Sequence, residues 1–308
     1  MAKIKFPRIA VVVTVLNEES VINLLLAALK RQTITPSEII FVDGGSTDKT
    51  VRILRSEHIK FLIKPGNRSV GRNFAVSHTT SPLIAFTDAG CIPDDDWLEQ
   101  LAKPFSDSSV QIVSGYYRGL PQNTFQKCLI PYVLVMPDLV HKSEFFPSTR
   151  SMALRRSVWD KSGGFDLHLW HNEDYAFAHK LKKLGFNFTF AKPAVVSWLP
   201  RKDLRSATWM FMRFAIGDIQ AGIIRPGVTR LAIRYLVAIY IFFLGLQTRI
   251  FLSFFIILFF CYLLWSIKKN YKYVRDIRAV FWLPVLQLTA DFAILFGSLV
   301  GLLSRISS

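Results

Sequence analysis

Polar residues that could do chemistry gather in three places directly after β-branched apolar runs: Thr14-Val15-Leu16-Asn17-Glu18-Glu19, Asp43-Gly44-Gly45-Ser46-Thr47-Asp48 and Asp88-Ala89-Gly90-Cys91. In open α/β sheets ligands bind beyond the carboxyl ends of the strands, so such segments are where a site is expected. Asp43, followed by two glycines and Ser46, suits a tight turn whose acid accepts hydrogen bonds from a nucleobase or ribose while the backbone approaches closely. Taken alone, the same residues read more simply as a turn capping the next helix. Neither GxGxxG nor GxxxxGK[ST] occurs, which argues against a Rossmann dinucleotide site and a P-loop. Further on, Asn172-Glu173-Asp174-Tyr175 carries two adjacent acids; on a helix they point about 100° apart, so only one can address a given reacting atom. Alone, this tetrapeptide also reads as acids opening a helix that runs to Leu184. His141, His168 and His171 are scattered without zinc-site spacing, and Cys91, Cys128 and Cys261 form neither a CxxC pair nor a disulfide framework.

The elements that must position these residues alternate strand and helix patterns, the signature of a parallel or mostly parallel α/β sheet. Ile9–Val15 is a continuous β-branched run of the kind buried on both faces, and Asn17 is read as the cap of a helix reaching about Gln32. Further strands are expected at Glu38–Val42, Ile59–Ile63, Leu83–Thr87 and Gln111–Tyr117, separated by helix-competent stretches such as Lys49–Glu57 and Val70–Ser77. No internal repeat or low-complexity tract appears.

Near residue 230 the composition changes from short punctuated apolar runs to long ones. Ile250 to Ile267 has 18 residues without a charge, about 27 Å as a helix. Ala279 to Leu303 is long enough to span a membrane, and its one acid, Asp291, must face protein or water. Leu231 to Gln247 is interrupted by Arg234, which would snorkel to the interface in a hairpin turned at Gln247, Thr248 and Arg249; a buried core helix is the alternative. Three spans are expected. The chain has 308 residues, 51% hydrophobic and 19% charged, with a formal charge of +16, which excludes disordered and collagen-like classes. The charge does not point to nucleic acid, because Lys268, Lys269, Lys272, Arg275 and Arg278 lie together between two apolar spans. No secretory leader is expected from the opening MAKIKFPRIAVVVTV, which lacks a small-residue cleavage site.

In this order the segments resemble family 2 glycosyltransferases of the GT-A fold. Thr14–Glu19 (TVLNEE) is similar to that family's PxYNEE-type entry, Asp43–Thr50 (DGGSTDKT) to its nucleotide-side turn, and Gly71-Arg72-Asn73 to its G-x-RN element. Phe86-Thr87-Asp88-Ala89-Gly90-Cys91 with Asp96-Trp97-Leu98 stands where the family has its DxD and the following P-x-WL. Arg155-Arg156, Gly163-Gly164-Phe165-Asp166 and Asn172–Tyr175 resemble its RR, GGFD and ED acceptor-side elements. The resemblance covers roughly Ile9 to Gln220. It implies a GT-A nucleotide-diphospho-sugar transferase domain over 1–203, an amphipathic helix and linker over 204–230, and an α-helical membrane region over 231–308.

The resemblance further implies an inverting transfer from a UDP- or GDP-linked sugar, with Asp174 as general base and Glu173 as second choice or acceptor-binding group. Thr14, Leu16, Glu18, Asp43, Gly45, Arg72, Asp88 and Ala89 would bind the nucleotide-sugar. Asp88 would hold Mg²⁺ or Mn²⁺ without a second motif acid, because Gly90 occupies the third DxD position; Asp94, Asp95 and Asp96 are read as a helix start. Arg72 is the first candidate to meet the diphosphate, with Arg201 and Arg213 for phosphate or lipid headgroups. QxxRW is absent, with Trp198-Leu199-Pro200-Arg201 in its place, which disfavours chain polymerisation. The basic loop between the second and third spans predicts a multi-pass membrane protein whose catalytic domain is cytoplasmic and whose acceptor is a lipid-linked or envelope glycan. A helix from Leu204 would lie along the leaflet, with Arg205, Arg213, Arg225 and Arg230 toward headgroups. Gly90 also motivates an alternative, a degenerate nucleotide-sugar-binding membrane protein without catalysis.

Overall fold

The computed structural model describes residues 7–141 and 145–306. Residues 1–6, 142–144 and 307–308 lie outside the described residues. Contacts divide the chain into two compact units, one of residues 1–120 and 136–199, the other of residues 121–135 and 200–308.

The first unit contains strands β1 (Ile9–Val15), β2 (Glu38–Asp43), β3 (Phe61–Ile63), β4 (Leu83–Phe86), β5 (Cys91–Pro93), β6 (Ile112–Gly119), β7 (Met152–Arg155) and β8 (Phe188–Trp198). They form one mixed sheet in the order β3-β2-β1-β4-β7-β6-β8-β5. β1 pairs in parallel with β2 and β4, and β2 with β3, whereas β7 runs antiparallel to both β4 and β6. The first four helices are α1 (Ile22–Lys30), α2 (Thr50–Ser56), α3 (Arg68–Ser77) and α4 (Trp97–Ala102); α5 (Thr124–Val133) belongs to the second unit, and α6 (Arg156–Ser162) and α7 (Glu173–Lys183) complete the first. One core cluster joins Val12, Val42, Ile84, Phe86, Met152 and Leu154 of the sheet with Val76, Trp159, Phe165, Phe177 and Leu181. Its strands are continuous apolar runs because layers cover both faces.

The five strands expected from the sequence all form, with no end differing by more than two residues. β5, β7 and β8 were not expected. Their pairing is non-local, and Lys192-Pro193 inside β8 breaks the hydrophobic run at the irregularity where its register with β6 shifts.

In the second unit α8 (Leu204–Gln220), α9 (Pro226–Gly245), α10 (Arg249–Val274) and α11 (Ala279–Ile306) follow α5. The last three are each long and apolar enough to cross a membrane. Asp291 faces protein, as expected: it is 3% exposed and accepts from Tyr235 Oη at 3.0 Å, Gln287 Nε2 at 2.9 Å and Tyr262 Oη. Arg234 does not stand alone but lies 3.6 Å from Asp291, so this acid links α9, α10 and α11. α8 packs against α11, with Ala215 beside Gly297 and Ile219 beside Gly301. Gly297 and Gly301, one helical turn apart, permit that approach; a Cβ at Gly297 would stand 2.5 Å from the Met212 carbonyl oxygen. Of the arginines expected to face headgroups, Arg225 is instead paired with Asp218 at 2.6 Å, and Arg213 and Arg230 are exposed.

Candidate active site

Three polar strand ends meet at one sheet edge. Val15 lies beside Asp43 and Val12 beside Phe86, so the residues following β1, β2 and β4 emerge together. Asn17 does not cap a helix: it adopts a left-handed conformation (φ 56°), its Oδ1 accepts from the Thr47 and Asp48 amides, and its own amide donates to Ser46 Oγ. A side chain committed to the neighbouring loop cannot cap α1, which begins at Ile22 with no side-chain cap. Glu18 N–H donates to Thr50 Oγ1 at 2.8 Å, extending the same clasp. Asp43 is buried; its Oδ2 accepts from the Gly45 and Ser46 amides at 3.0 Å each, whereas its Oδ1 has no partner although shielded from water. An orphan buried acceptor is costly unless a ligand donor completes it. Of the other residues expected to bind the nucleotide-sugar, Thr14 is half-buried, Leu16 exposed, Gly45 turns at φ 102° and Ala89 is buried.

Arg72, on α3, occupies the centre. Its Nη1 donates to Glu173 Oε1 at 2.6 Å and its Nη2 to Asp88 Oδ1 at 2.8 Å, with its guanidinium 5.3 Å from the Phe165 ring centroid. Burial works against the charge, but Glu173 and Asp88 outweigh it and hold the arginine protonated well beyond its ordinary range. Burial likewise works to raise the Asp88 carboxyl, and is outweighed by Arg72, Arg150 and Arg68, so Asp88 stays below its ordinary value. Arg72, expected from the sequence to meet the diphosphate, is thus committed to two carboxylates, because at 3% side-chain exposure it could not remain unpaired.

The neighbouring Asn73 holds the Gly163–Asp166 segment in place: its Nδ2 donates to the Phe165 carbonyl at 2.8 Å and its Oδ1 accepts from the Phe165 amide at 3.0 Å. Gly164 (φ +72°) makes room, since a Cβ there would lie 2.9 Å from Asn73 Oδ1. This clasp delivers α7, whose first turn carries Glu173 and Asp174. Glu173 is buried against Arg72; Asp174 is half-buried, its Oδ2 accepting from Ser148 Oγ at 2.7 Å and its Oδ1 from the Tyr175 amide at 2.9 Å. The two adjacent acids diverge as helical geometry requires, one toward Arg72 and one toward Ser148.

Several residues of the motifs serve other ends. Arg155 donates to the carbonyls of Val110, Phe105 and Asp107, and Arg156 to those of Ser81 and Thr79, so the arginine pair fastens main chain rather than acceptor. Asp94 pairs with Arg118 and Asp95 with Arg31, while Asp96 precedes α4, in keeping with a helix start. Arg201 and Arg213 are exposed residues of the second unit. The turn Ser148–Ser151 was missed by sequence reasoning; its only signal is a single arginine, Arg150, among small polar residues before a short strand.

Asp88 Oδ1 is taken by Arg72, which leaves Oδ2 on a side chain 32% exposed. Gly90 adds no carboxylate, and a Cβ there would meet nothing within 4 Å. Among the described residues no three His, Cys, Asp or Glu side chains cluster to hold a metal by themselves. One hard oxygen on a partly exposed side chain fits a cation whose other positions come from a diphosphate and water.

A mixed sheet with this edge of acids and a Gly-rich turn defines the GT-A class. The mannosyltransferase PcManGT of Pyrobaculum calidifontis, solved with GDP-Man and Mn²⁺, superposes with a TM-score of 0.57 at 19% identity over 99% of this chain and 76% of its own. S. aureus TarS 1-349 with UDP-GlcNAc gives 0.52 at 16% identity, covering 68% of this chain and 66% of that one. The family model described as Glycosyl transferase family 2 matches residues 10–167, just over half of the chain, which therefore belongs to that family. Its relatives include the O-antigen chain rhamnosyltransferase RfbN of Salmonella typhimurium, 28% identical over 64% of this chain and 69% of the relative. The glycosyltransferase AglE of Haloferax volcanii is 26% identical over 70% and 74%.

Proposed function

We propose that this chain is an inverting glycosyltransferase that moves a sugar from a UDP- or GDP-linked donor to a lipid-linked or cell-envelope glycan at the cytoplasmic face of a membrane. The observation that carries the reading is the division of labour between the adjacent acids: Glu173 is buried on Arg72, and Asp174 is left half-buried at the open edge. In the transfer, Asp174 takes the proton of the acceptor hydroxyl as its oxygen bonds to the anomeric carbon. The bond from that carbon to the phosphate oxygen breaks, and the nucleoside diphosphate departs with the electron pair. Ser148 orients the base, and Arg72 and Glu173 fix the helix that carries it. Asp43 Oδ1 accepts a hydrogen bond from the nucleobase or ribose, in keeping with its orphaned state. Asp88 would hold Mg²⁺ or Mn²⁺, which supplies charge neutralisation to the diphosphate when bound.

A lipid-linked or envelope acceptor is supported by three helices of spanning length and by similarity to a protein named as an O-antigen chain rhamnosyltransferase. The cytoplasmic orientation is supported by Lys268, Lys269, Lys272, Arg275 and Arg278, which lie at or beside the break between α10 and α11. A panel of nucleotide-sugars screened for thermal stabilisation, followed by turnover with the stabilising donor and the anomeric configuration of the product, tests the reading. Stabilisation and an inverted product are expected. Stabilisation without turnover on any acceptor or water would favour the non-catalytic alternative that Gly90 motivates.

A further inference from the structure

The turn Ser148–Ser151 is built with more care than a loop needs. Its Ser151 amide donates to the Ser148 carbonyl at 3.0 Å. Ser151 Oγ accepts from the buried Trp97 indole at 2.9 Å and donates to the Ala194 carbonyl at 3.0 Å. Gly115 clears the space beside it, since a Cβ there would stand 1.9 Å from Ser151 Oγ. Phe86 of β4 lies opposite Met152 of β7, so the loop that follows β4, with Asp88, and the turn that precedes β7, with Arg150, leave the sheet at the same end, and Arg150 is among the charges that hold the Asp88 carboxyl low.

Arg150 is half-buried, its guanidinium 5.4 Å from the Tyr117 ring centroid and 5.8 Å from that of Trp198. Its Nη1 lies 3.4 Å from Ser148 Oγ, the group that donates to Asp174. Arg72, by contrast, is spent on two carboxylates. The edge therefore carries two acids, Asp88 and Asp174, that a diphosphate must approach, and one carboxylate fewer than a DxD for a metal; of the arginines that act on Asp88, Arg72 is spent, Arg68 is exposed on the first turn of α3, and Arg150 is half-buried over two aromatic rings.

We propose that Arg150 binds the distal phosphate of the donor diphosphate and takes up the charge that develops there as the sugar leaves. This rests on the nucleotide-sugar reading above and assigns the leaving-group cation within it. When the anomeric carbon–oxygen bond breaks, its electron pair stays on the phosphate oxygen; Arg150 donates hydrogen bonds to that phosphate and loses no proton, while the acceptor's proton goes to Asp174. The guanidinium, already placed over the Tyr117 and Trp198 rings, needs little reorganisation as the charge forms.

The test is calorimetric titration of the full-length protein in detergent with UDP, UMP, GDP and GMP, for wild type, Arg150→Gln and Arg150→Lys. With whichever base binds, Arg150→Gln should weaken the diphosphate by about tenfold or more. The monophosphate should bind as before, which also shows that the variant is folded, and Arg150→Lys should weaken the diphosphate less. Turnover of Arg150→Gln should fall by about 10²–10³-fold in kcat with acceptor KM unchanged. Equal weakening of mono- and diphosphate, no weakening of either, or a change confined to acceptor KM overturns the assignment while leaving the nucleotide-sugar reading intact. Failure of wild type to bind either diphosphate removes that reading, and the assignment with it.

Discussion

Arg72 and Glu173, 101 positions apart in the chain, meet at 2.6 Å with their side chains 3% and 4% exposed. Such a pair is destabilising to break from one side, because the surviving charge stays buried without its partner. Glu173→Ala and Arg72→Ala are each expected to lose about 3–5 kcal/mol of stability, and the double variant less than the sum. Denaturant unfolding of the three variants checks this; additive losses would mean that the two side chains do not act as a pair.

Asp43→Asn should leave the fold intact and weaken nucleotide. The remaining carbonyl oxygen can still accept from the Gly45 and Ser46 amides, but the amide group turns the orphan acceptor into a donor. Titration with UDP or GDP should show about tenfold weaker binding with no change in unfolding midpoint. A nucleotide affinity equal to wild type would contradict the assignment of Asp43 Oδ1 to a base or ribose.

The proposed role of Asp88 is tested through metal and through pH. If Asp88 holds the cation, EDTA should weaken nucleoside diphosphate binding by wild type, and Asp88→Ala should bind weakly with or without EDTA. Its carboxyl sits below the ordinary value of 3.8, since the arginines outweigh burial. The native state therefore binds this proton less readily than the unfolded chain. The stabilisation is complete above the unfolded value and is lost as pH falls through the folded one. Between about pH 5 and 3, Asp88→Asn should lose less of its unfolding midpoint than wild type does; parallel losses would contradict the linkage.

Sequence patterns reached the parallel half of the sheet and two acids of the candidate site, because these depend on local runs and their ends; Glu173 and Asp174 stood out only through the resemblance. Ile9–Val15 reads as a buried strand from seven residues alone, and Asp43 and Asp88 follow from where the runs stop. What was not legible depends on pairing across long separations. β7 is four residues long and becomes a strand only between β4 and β6, so the turn before it, with Ser148 and Arg150, carried no periodic signal. Arg72 looked like a free cation because nothing local shows that Glu173 will be buried beside it. Asn17 looked like a helix cap because its residue type is right; the partner that captures it lies 30 residues away.

The proposed topology rests on the basic residues around α10 and α11. In a background lacking Cys91, Cys128 and Cys261, cysteine at the exposed Ile277 should react with a membrane-impermeant reagent only after lysis, and cysteine at Thr248, between α9 and α10, in intact cells. The reverse pattern, or labelling of both from one side, would require another orientation or number of spans.

The central claim is that Asp174 is the base that Glu173 is not. Single-turnover transfer should be measured beside donor binding in Asp174→Asn and Glu173→Gln, using the donor that stabilises wild type. Asp174→Asn should bind that donor with wild-type affinity while its transfer rate falls by about 10²–10⁴-fold, and Glu173→Gln should retain transfer in proportion to its folded fraction. Full transfer by Asp174→Asn, with folded Glu173→Gln inactive, would contradict the account.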